Sequence, residues 1–404
     1  MFKKGTKSTL DCLCRGTTLG MVVEGVQRGF LFMYVWVVSS ITPLISPGGY
    51  LGQKAMNFID YFALSGLSLM ERRHMTSRYL VVKKRIGTAD GNSTEDQRIH
   101  LLDFEGQGTL PPIIILHGIC SRGADYYPLI RQLQRNSRRV VALDLPGHGL
   151  SVSNLDMTLE QMVELSVEAV QQCVDEIHPV RQGATTDSTP ATSTHFSSSS
   201  SSSPLLESPS SDRPILLGNS LGGFVATKCA ASGAIDLGGL VLMSPGGAPL
   251  SHDELNRVHD IFGMKTLGDA SRFVERVLGK EDNDLPFGVR HVLGWAARER
   301  SLRPSVQRIF NQAISSNTDV FRLLPAELQR VNCPVLLVWG KKEEVFLEHH
   351  FEWFHLHFRS RRTQRTQVFR PEKLGHVPQL DGEMLAGAVA AFLRDTDYDS
   401  NSYV

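Results

Sequence analysis

Net charge is the first thing this chain lacks: 42 Lys and Arg stand against 42 Asp and Glu. A nucleic-acid partner calls for a basic face, so the balance argues against that class. Cysteine is scarce, six in 404 residues. The close pair Cys12-x-Cys14 is too short for a metal half-site and has no second half. Cys120, Cys173, Cys229 and Cys333 sit in apolar surroundings and read as reduced core residues, not as a disulfide framework. There is no HExxH and no paired CxxC, and no phosphate-binding G-x-x-x-x-G-K-[ST] or G-x-G-x-x-G follows a strand. Metal and nucleotide chemistry therefore have no support, and no cofactor is expected.

What is present is a strand running into a turn. Pro214-Ile215-Leu216-Leu217 feeds Gly218-Asn219-Ser220-Leu221-Gly222, a G-x-S-x-G pentapeptide. A serine at the apex of a sharp strand-to-helix turn has its Oγ clear of the sheet, and the flanking glycines let the chain pass without Cβ clashes. Gly223, Ala226, Ala230 and Ala231 follow, small enough for the next helix to pack close.

Further segments complete the pattern. Pro112-Ile-Ile-Ile-Leu-His117-Gly118 is a buried strand ending in His-Gly. In an acyl-transfer site the loop after such a strand supplies one oxyanion-hole N–H, and the residue after the nucleophile supplies the other. Here these are the backbones of Ile119 and Leu221. Val140-Val-Ala-Leu-Asp144-Leu-Pro-Gly-His148-Gly149 is a second buried strand closed by a Pro-Gly turn, and Asp144 and His148 read as structural there. Late strands at 335–339 and 366–370 lead to Gly340-Lys-Lys-Glu343 and to Gly375-His376-Val-Pro378. The chain order is thus Ser220, an acid, then a histidine.

With these motifs the chain resembles the α/β-hydrolase superfamily over roughly residues 78 to 395. The resemblance implies an α/β fold: a mostly parallel eight-stranded sheet flanked by helices, with a helical lid inserted after the sixth strand. It also implies Ser220 as nucleophile, His376 as base and Glu343 as the acid, where the family usually has Asp; Glu344 is the runner-up. A serine at the elbow points to ester, thioester or amide hydrolysis or to acyl transfer. The elbow, the lid and the apolar N-terminus resemble membrane-associated monoacylglycerol-lipase-type hydrolases acting on a small lipophilic ester. Carbon–carbon bond hydrolases, acyltransferases and a non-catalytic binding protein of the same fold are the alternatives.

The remaining chain divides as an N-terminal segment (1–77), core (78–246), lid (247–330), core (331–396) and tail (397–404). Residues 29–53 carry no charge, with Phe30, Phe32, Tyr34 and Trp36 giving an interfacial character. Pro43, Ser39, Ser40 and Thr42 interrupt the ~20 apolar residues that a span needs. Membrane association is the favoured reading, ahead of a cleaved, for example mitochondrial, signal and of a buried helix in a cytoplasmic protein. Residues 51–70 have helical apolar spacing. In the lid, 270–278 and 304–314 read as helices, and Phe262, Met264, Phe273, Phe287, Trp295 and Phe310 are candidates to line a substrate site. Residues 158–177 form an amphipathic helix begun by a Thr158-x-x-Gln161 capping box. The Ser-rich stretch 178–212 holds too few apolar residues to offset ordering entropy and reads as disordered. Loop length changes closure entropy slowly. Replacing 183–211 by a short Gly-Ser link is therefore expected to leave esterase turnover unchanged and to shift Tm by only a few degrees; loss of folding in a thermal melt would show that the segment packs.

Overall fold

The structure, a computed structural model, describes residues 74–85, 94–151, 157–177, 213–279, 287–315, 320–361 and 365–394. The apolar stretch 29–53, the helical spacing at 51–70 and the Ser-rich stretch 178–212 lie outside the described residues.

Eight strands form one sheet: β1 (Met75–Arg85), β2 (Thr94–Glu105), β3 (Ile113–Leu116), β4 (Arg139–Leu143), β5 (Ile215–Asn219), β6 (Gly239–Met243), β7 (Val335–Val338) and β8 (Thr366–Phe369). Their order is β1-β2-β4-β3-β5-β6-β7-β8. β2 is antiparallel to both its neighbours, and every pairing from β4 across to β8 is parallel. β1 begins at Met75, so Met75, Thr76 and Ser77 belong to the sheet and not to the N-terminal segment.

The central strands are apolar on both sides because helices cover both faces. Ile114, Leu116, Leu216, Leu240, Leu242 and Leu337 belong to one cluster, with α2 (Leu159–Ile177), α3 (Leu221–Ala231) and α9 (Glu348–Arg359). Their neighbours Ile113, Ile115, Ile215, Leu217, Val241 and Leu336 face the other way, onto α1 (Tyr127–Gln134) and α10 (Gly382–Arg394). Each such side chain, buried fully, contributes about 1.5–3 kcal/mol. The capping box of α2 forms as expected, with Thr158 Oγ1 accepting from Gln161 N (3.2 Å) and Gln161 Oε1 from Thr158 N (3.2 Å). The four described cysteines are buried and unpaired by disulfide. Between β6 and β7 lie α4 (His252–Phe262), α5 (Leu267–Leu278), α6 (Phe287–Ser301), α7 (Pro304–Ala313) and the short α8 (Pro325–Gln329).

Asp144, at the end of β4, is a hub. Its Oδ1 accepts from Gly123 N (2.7 Å), and its Oδ2 accepts from Leu150 N (2.8 Å) and faces His100 Nδ1 at 2.8 Å. Both side chains are almost fully buried. Burial alone pushes the carboxyl up, but the hydrogen bond and charge of His100 override it and hold Asp144 well below the usual carboxylate range. A carboxyl depressed in this way contributes stability that is present above its unfolded pKa and lost only as pH falls toward the folded value. Removing one partner of a buried pair typically costs 3–5 kcal/mol. Asp144→Ala is therefore expected to destabilise the fold by about that much in urea titration at pH 7; a loss under 1 kcal/mol would refute the hub.

Candidate active site

Sheet order puts the ends of β3 and β5 side by side, so two of the sequence motifs meet at the middle of one sheet edge. Ser220 lies between β5 and α3 with φ 54° and ψ −117°. Positive φ is uncommon for a residue with a Cβ and carries strain. The turn is fixed by Ser220 N donating to Met243 O (3.0 Å) and Gly246 N donating to Ser220 O (2.9 Å). The glycines are required by close approach: a Cβ on Gly218 would come within 2.3 Å of Gly222 O, and one on Gly222 within 2.3 Å of Leu116 O.

His376 and Glu343 meet although they lie on loops after different strands. His376 Nδ1 sits 2.9 Å from Glu343 Oε2 and 3.1 Å from Oε1, and both side chains are under 5% exposed. The carboxylate assigns the proton to Nδ1, leaving Nε2 as the acceptor. Glu343 Oε1 also accepts from Val345 N (2.7 Å) and Phe346 N (3.1 Å). Burial pushes Glu343 up, but the adjacent His376 and these bonds outweigh it, so the acid stays below its ordinary value and ionised. Glu344 is exposed and turns away.

Asn219, the variable residue of the pentapeptide, joins the two halves. Its Nδ2 donates to Met243 O (2.9 Å) and to His376 O (3.0 Å), and its Oδ1 accepts from Tyr126 OH (2.9 Å). Sequence reasoning missed this role; an amide beside the serine was the only signal.

The loop after β3 is pinned at both ends. His117 Nε2 accepts from Leu145 N (2.9 Å), and its Nδ1 donates to Gly118 O (2.7 Å). Burial keeps this imidazole below its usual pKa, hence neutral, as that bonding requires. At the far end Gly123 N is held by Asp144. Ile119 lies between these pins and is partly buried, and Leu221 opens α3, where an N–H has no intrahelical acceptor. His148 is buried, pushed down to about 3 by burial and by nearby His117, and donates from Nδ1 to Pro146 O (3.2 Å). It is structural, as expected.

The helices between β6 and β7 reach over this edge. Arg300 pairs with Asp125 (2.7 Å), Arg303 donates to Gly149 O (2.9 Å), Ser305 to Gly147 O (2.8 Å) and Arg257 to Val345 O (2.7 Å). Among them a cavity of about 420 Å³ is lined by Phe262, Met264, Lys265, Arg298, Val306 and Phe310 among others, and Cys120 is the one lining residue from the loop after β3. Of the six apolar candidates in this segment, Phe262, Met264 and Phe310 face the cavity. Phe273 and Trp295 are buried away from it, and the side chain of Phe287 lies outside the described residues.

Solved structures with the same fold include a bacterial membrane phospholipase A (20% identity, TM-score 0.59, covering 91% of this chain and 98% of that one). Another is 2-hydroxy-6-oxo-6-phenylhexa-2,4-dienoate hydrolase from Rhodococcus sp. strain RHA1 (18%, TM-score 0.55, 78% and 99%). A third is carboxylesterase CesB from Bacillus subtilis (17%, TM-score 0.54, 84% and 98%). No curated protein matches the chain in a sequence search. The model of the alpha/beta hydrolase family matches residues 113–388. That match spans the strained serine turn, the His376–Glu343 pair and the helices above them, and the chain belongs to the alpha/beta hydrolase family.

Proposed function

We propose that this chain is a serine hydrolase of carboxylic esters, with Ser220, His376 and Glu343 as its triad. The observation that carries the reading is the buried His376–Glu343 pair held by Asn219 against the serine turn. Serine is a weak nucleophile until a base takes its proton. With the proton on Nδ1, His376 has Nε2 free to accept one from Ser220 as Oγ attacks the carbonyl carbon. The oxyanion then forms against the N–H groups of Ile119 and Leu221; losing one such donor typically costs about 3 kcal/mol of barrier. His376 returns the proton to the leaving alkoxide, and the acyl group stays on Ser220. Water, deprotonated by the same imidazole, releases the acid. Glu343 holds the tautomer and stabilises the imidazolium.

The substrate reading is a lipophilic ester. Its support is the cavity, whose wall carries Phe262, Met264, Val306 and Phe310 beside the polar Lys265 and Arg298 and which adjoins the proposed oxyanion loop at Cys120. The helices α4–α8 act as a lid. The solved phospholipase A of similar fold is a membrane protein. Residues 29–53, uncharged and rich in aromatics, are proposed to attach this chain to a membrane. Among the described residues no helix is long and apolar enough to cross one.

Two experiments follow. A fluorophosphonate probe is expected to label wild-type protein, and Ser220→Ala and His376→Ala are each expected to abolish labelling and ester turnover. Glu343→Gln is expected to lower kcat by on the order of 10⁴, with Glu344→Gln within a few-fold of wild type; the reverse ranking would move the acid to Glu344. Turnover within tenfold of wild type in Ser220→Ala would defeat the whole assignment. Separately, full-length protein is expected to sediment with membranes and resist high salt, because salt screens charge without releasing buried apolar surface. A chain shortened to begin at Leu51 should become soluble and still hydrolyse a short-chain ester. Recovery of the intact full-length chain in the soluble fraction would end the anchor reading.

A further inference from the structure

Away from the triad, three metal-ligating side chains converge. Glu254 lies on α4, and His349 and His350 open α9. Glu254 Oε1 is 2.8 Å from His349 Nε2 and 3.4 Å from His350 Nε2. One donor atom from each residue lies within 4.8 Å of the other two. Consecutive residues on a helix normally point about 100° apart, yet these two imidazoles sit with ring centres 4.1 Å apart and share one carboxylate oxygen.

The contacts within this cluster are close but poorly aimed. Glu254 Oε1 and both ring nitrogens of His350 are buried and have no partner in hydrogen-bond geometry. The His350 side chain is 2% exposed. Leaving such groups unmatched is costly, and a cation between them would give Glu254 Oε1 and one nitrogen of His350 a partner at once. The carboxylate is already oriented: Glu254 Oε2 accepts from Ser251 N (2.8 Å) and Ser251 Oγ (2.7 Å), which directs Oε1 at the histidines. Second partners of this kind commonly orient metal ligands. Tetrahedral zinc with bonds near 2.0 Å places its donors about 3.3 Å apart. The 3.4 Å spacing already fits, and the 2.8 Å spacing needs a small opening on the exposed His349 side.

We propose that Glu254, His349 and His350 bind a divalent transition-metal ion of the zinc class, joining helix α4 to the start of α9. Two imidazoles and a carboxylate suit zinc and its neighbours and are poor ligands for magnesium or calcium. Arg257, one turn along α4, is turned to the carbonyls of Glu344 and Val345. The ion would therefore fasten the same helix that already grips the backbone following Glu343. Phe346 stands between this cluster and the triad, its ring centre 5.8 Å from that of His350 and 5.3 Å from that of His376. The site is thus structural and separate from Ser220 chemistry. The sequence offers no motif for it, because the glutamate and the histidine pair come from distant parts of the chain.

The test is calorimetric titration of untagged, EDTA-dialysed full-length protein with zinc chloride, alongside thermal melts. Wild type is expected to take up one equivalent and to melt higher with zinc, while magnesium does neither. Glu254→Gln, His349→Ala and His350→Ala should each weaken binding by more than about 100-fold, since even partners outside the ligand set are worth 10- to 100-fold. The zinc-dependent rise in Tm should vanish in all three. His349 is over half exposed, so its variant keeps the test decisive if His350→Ala fails to fold. Absence of saturable zinc binding in wild type would overturn the proposal. So would wild-type affinity in both Glu254→Gln and His349→Ala, which would place the ion elsewhere, for example at His355 and His357.

Discussion

The structure depends on one buried amide. With two polar atoms Asn219 reaches three stretches of chain: Nδ2 donates to Met243 at the end of β6 and to the His376 loop after β8, and Oδ1 accepts from Tyr126 ahead of α1. These segments come from far apart in sequence, and the His376 loop is one that alone has many conformations. Ordering a residue's backbone costs roughly 1–2 kcal/mol. A neutral hydrogen bond returns only about 1 kcal/mol net, but leaving a buried donor unpaired costs 1–3. The amide therefore acts more by penalising misplacement than by attraction. Departure of the His376 loop would strand a buried N–H, so the histidine is kept beside the strained serine.

The same logic repeats around the sheet edge. Asp144 locks the loop after β4 and the end of the loop after β3 with a single carboxylate. His117 locks the front of that loop. Arginines from α6 and the start of α7 then bind Asp125 and Gly149 on these loops, and Arg257 of α4 binds the loop after β7. The covering helices thus rest on polar contacts to the loops, while their apolar faces pack with one another and around the cavity. Phe262 meets both Phe273 and Phe310 at ring-centre distances of 5.2 and 5.3 Å. Apolar packing sets the shape of the cover, and polar contacts set its position.

Features carried by a few consecutive residues were legible in the sequence. Strands β3, β4, β5 and β7 stood out as short β-branched and leucine runs closed by glycine. The serine turn showed in its spacing, and the capping box of α2 in Thr158 and Gln161. Glu343 was distinguishable from Glu344 only by its offset from Gly340. The fold explains that offset, because the amides of Val345 and Phe346 bond the first carboxylate and turn the second outward. What stayed hidden depends on which loops become neighbours. The pairing of Asp144 with His100, the reach of Asn219 to His376 and the meeting of Glu254 with His349 follow from strand order and helix crossing. None of the three has a local pattern. The apolar residues of the helices between β6 and β7 lay between these cases: hydrophobicity marked all six, but only tertiary packing separated Phe310, on the cavity, from Trp295, inside.

The buried cysteines bear on how this protein meets electrophiles. Burial pushes the thiols of Cys120, Cys173, Cys229 and Cys333 up to about 12. At neutral pH they are held as thiols, and the thiolate is the form that attacks carbon or phosphorus well. Cys120 borders the cavity itself, yet it stands there as an inert wall. None of the described cysteines is thus a ready nucleophile, so a covalent reagent that enters this cavity passes Cys120 without being captured by its sulfur.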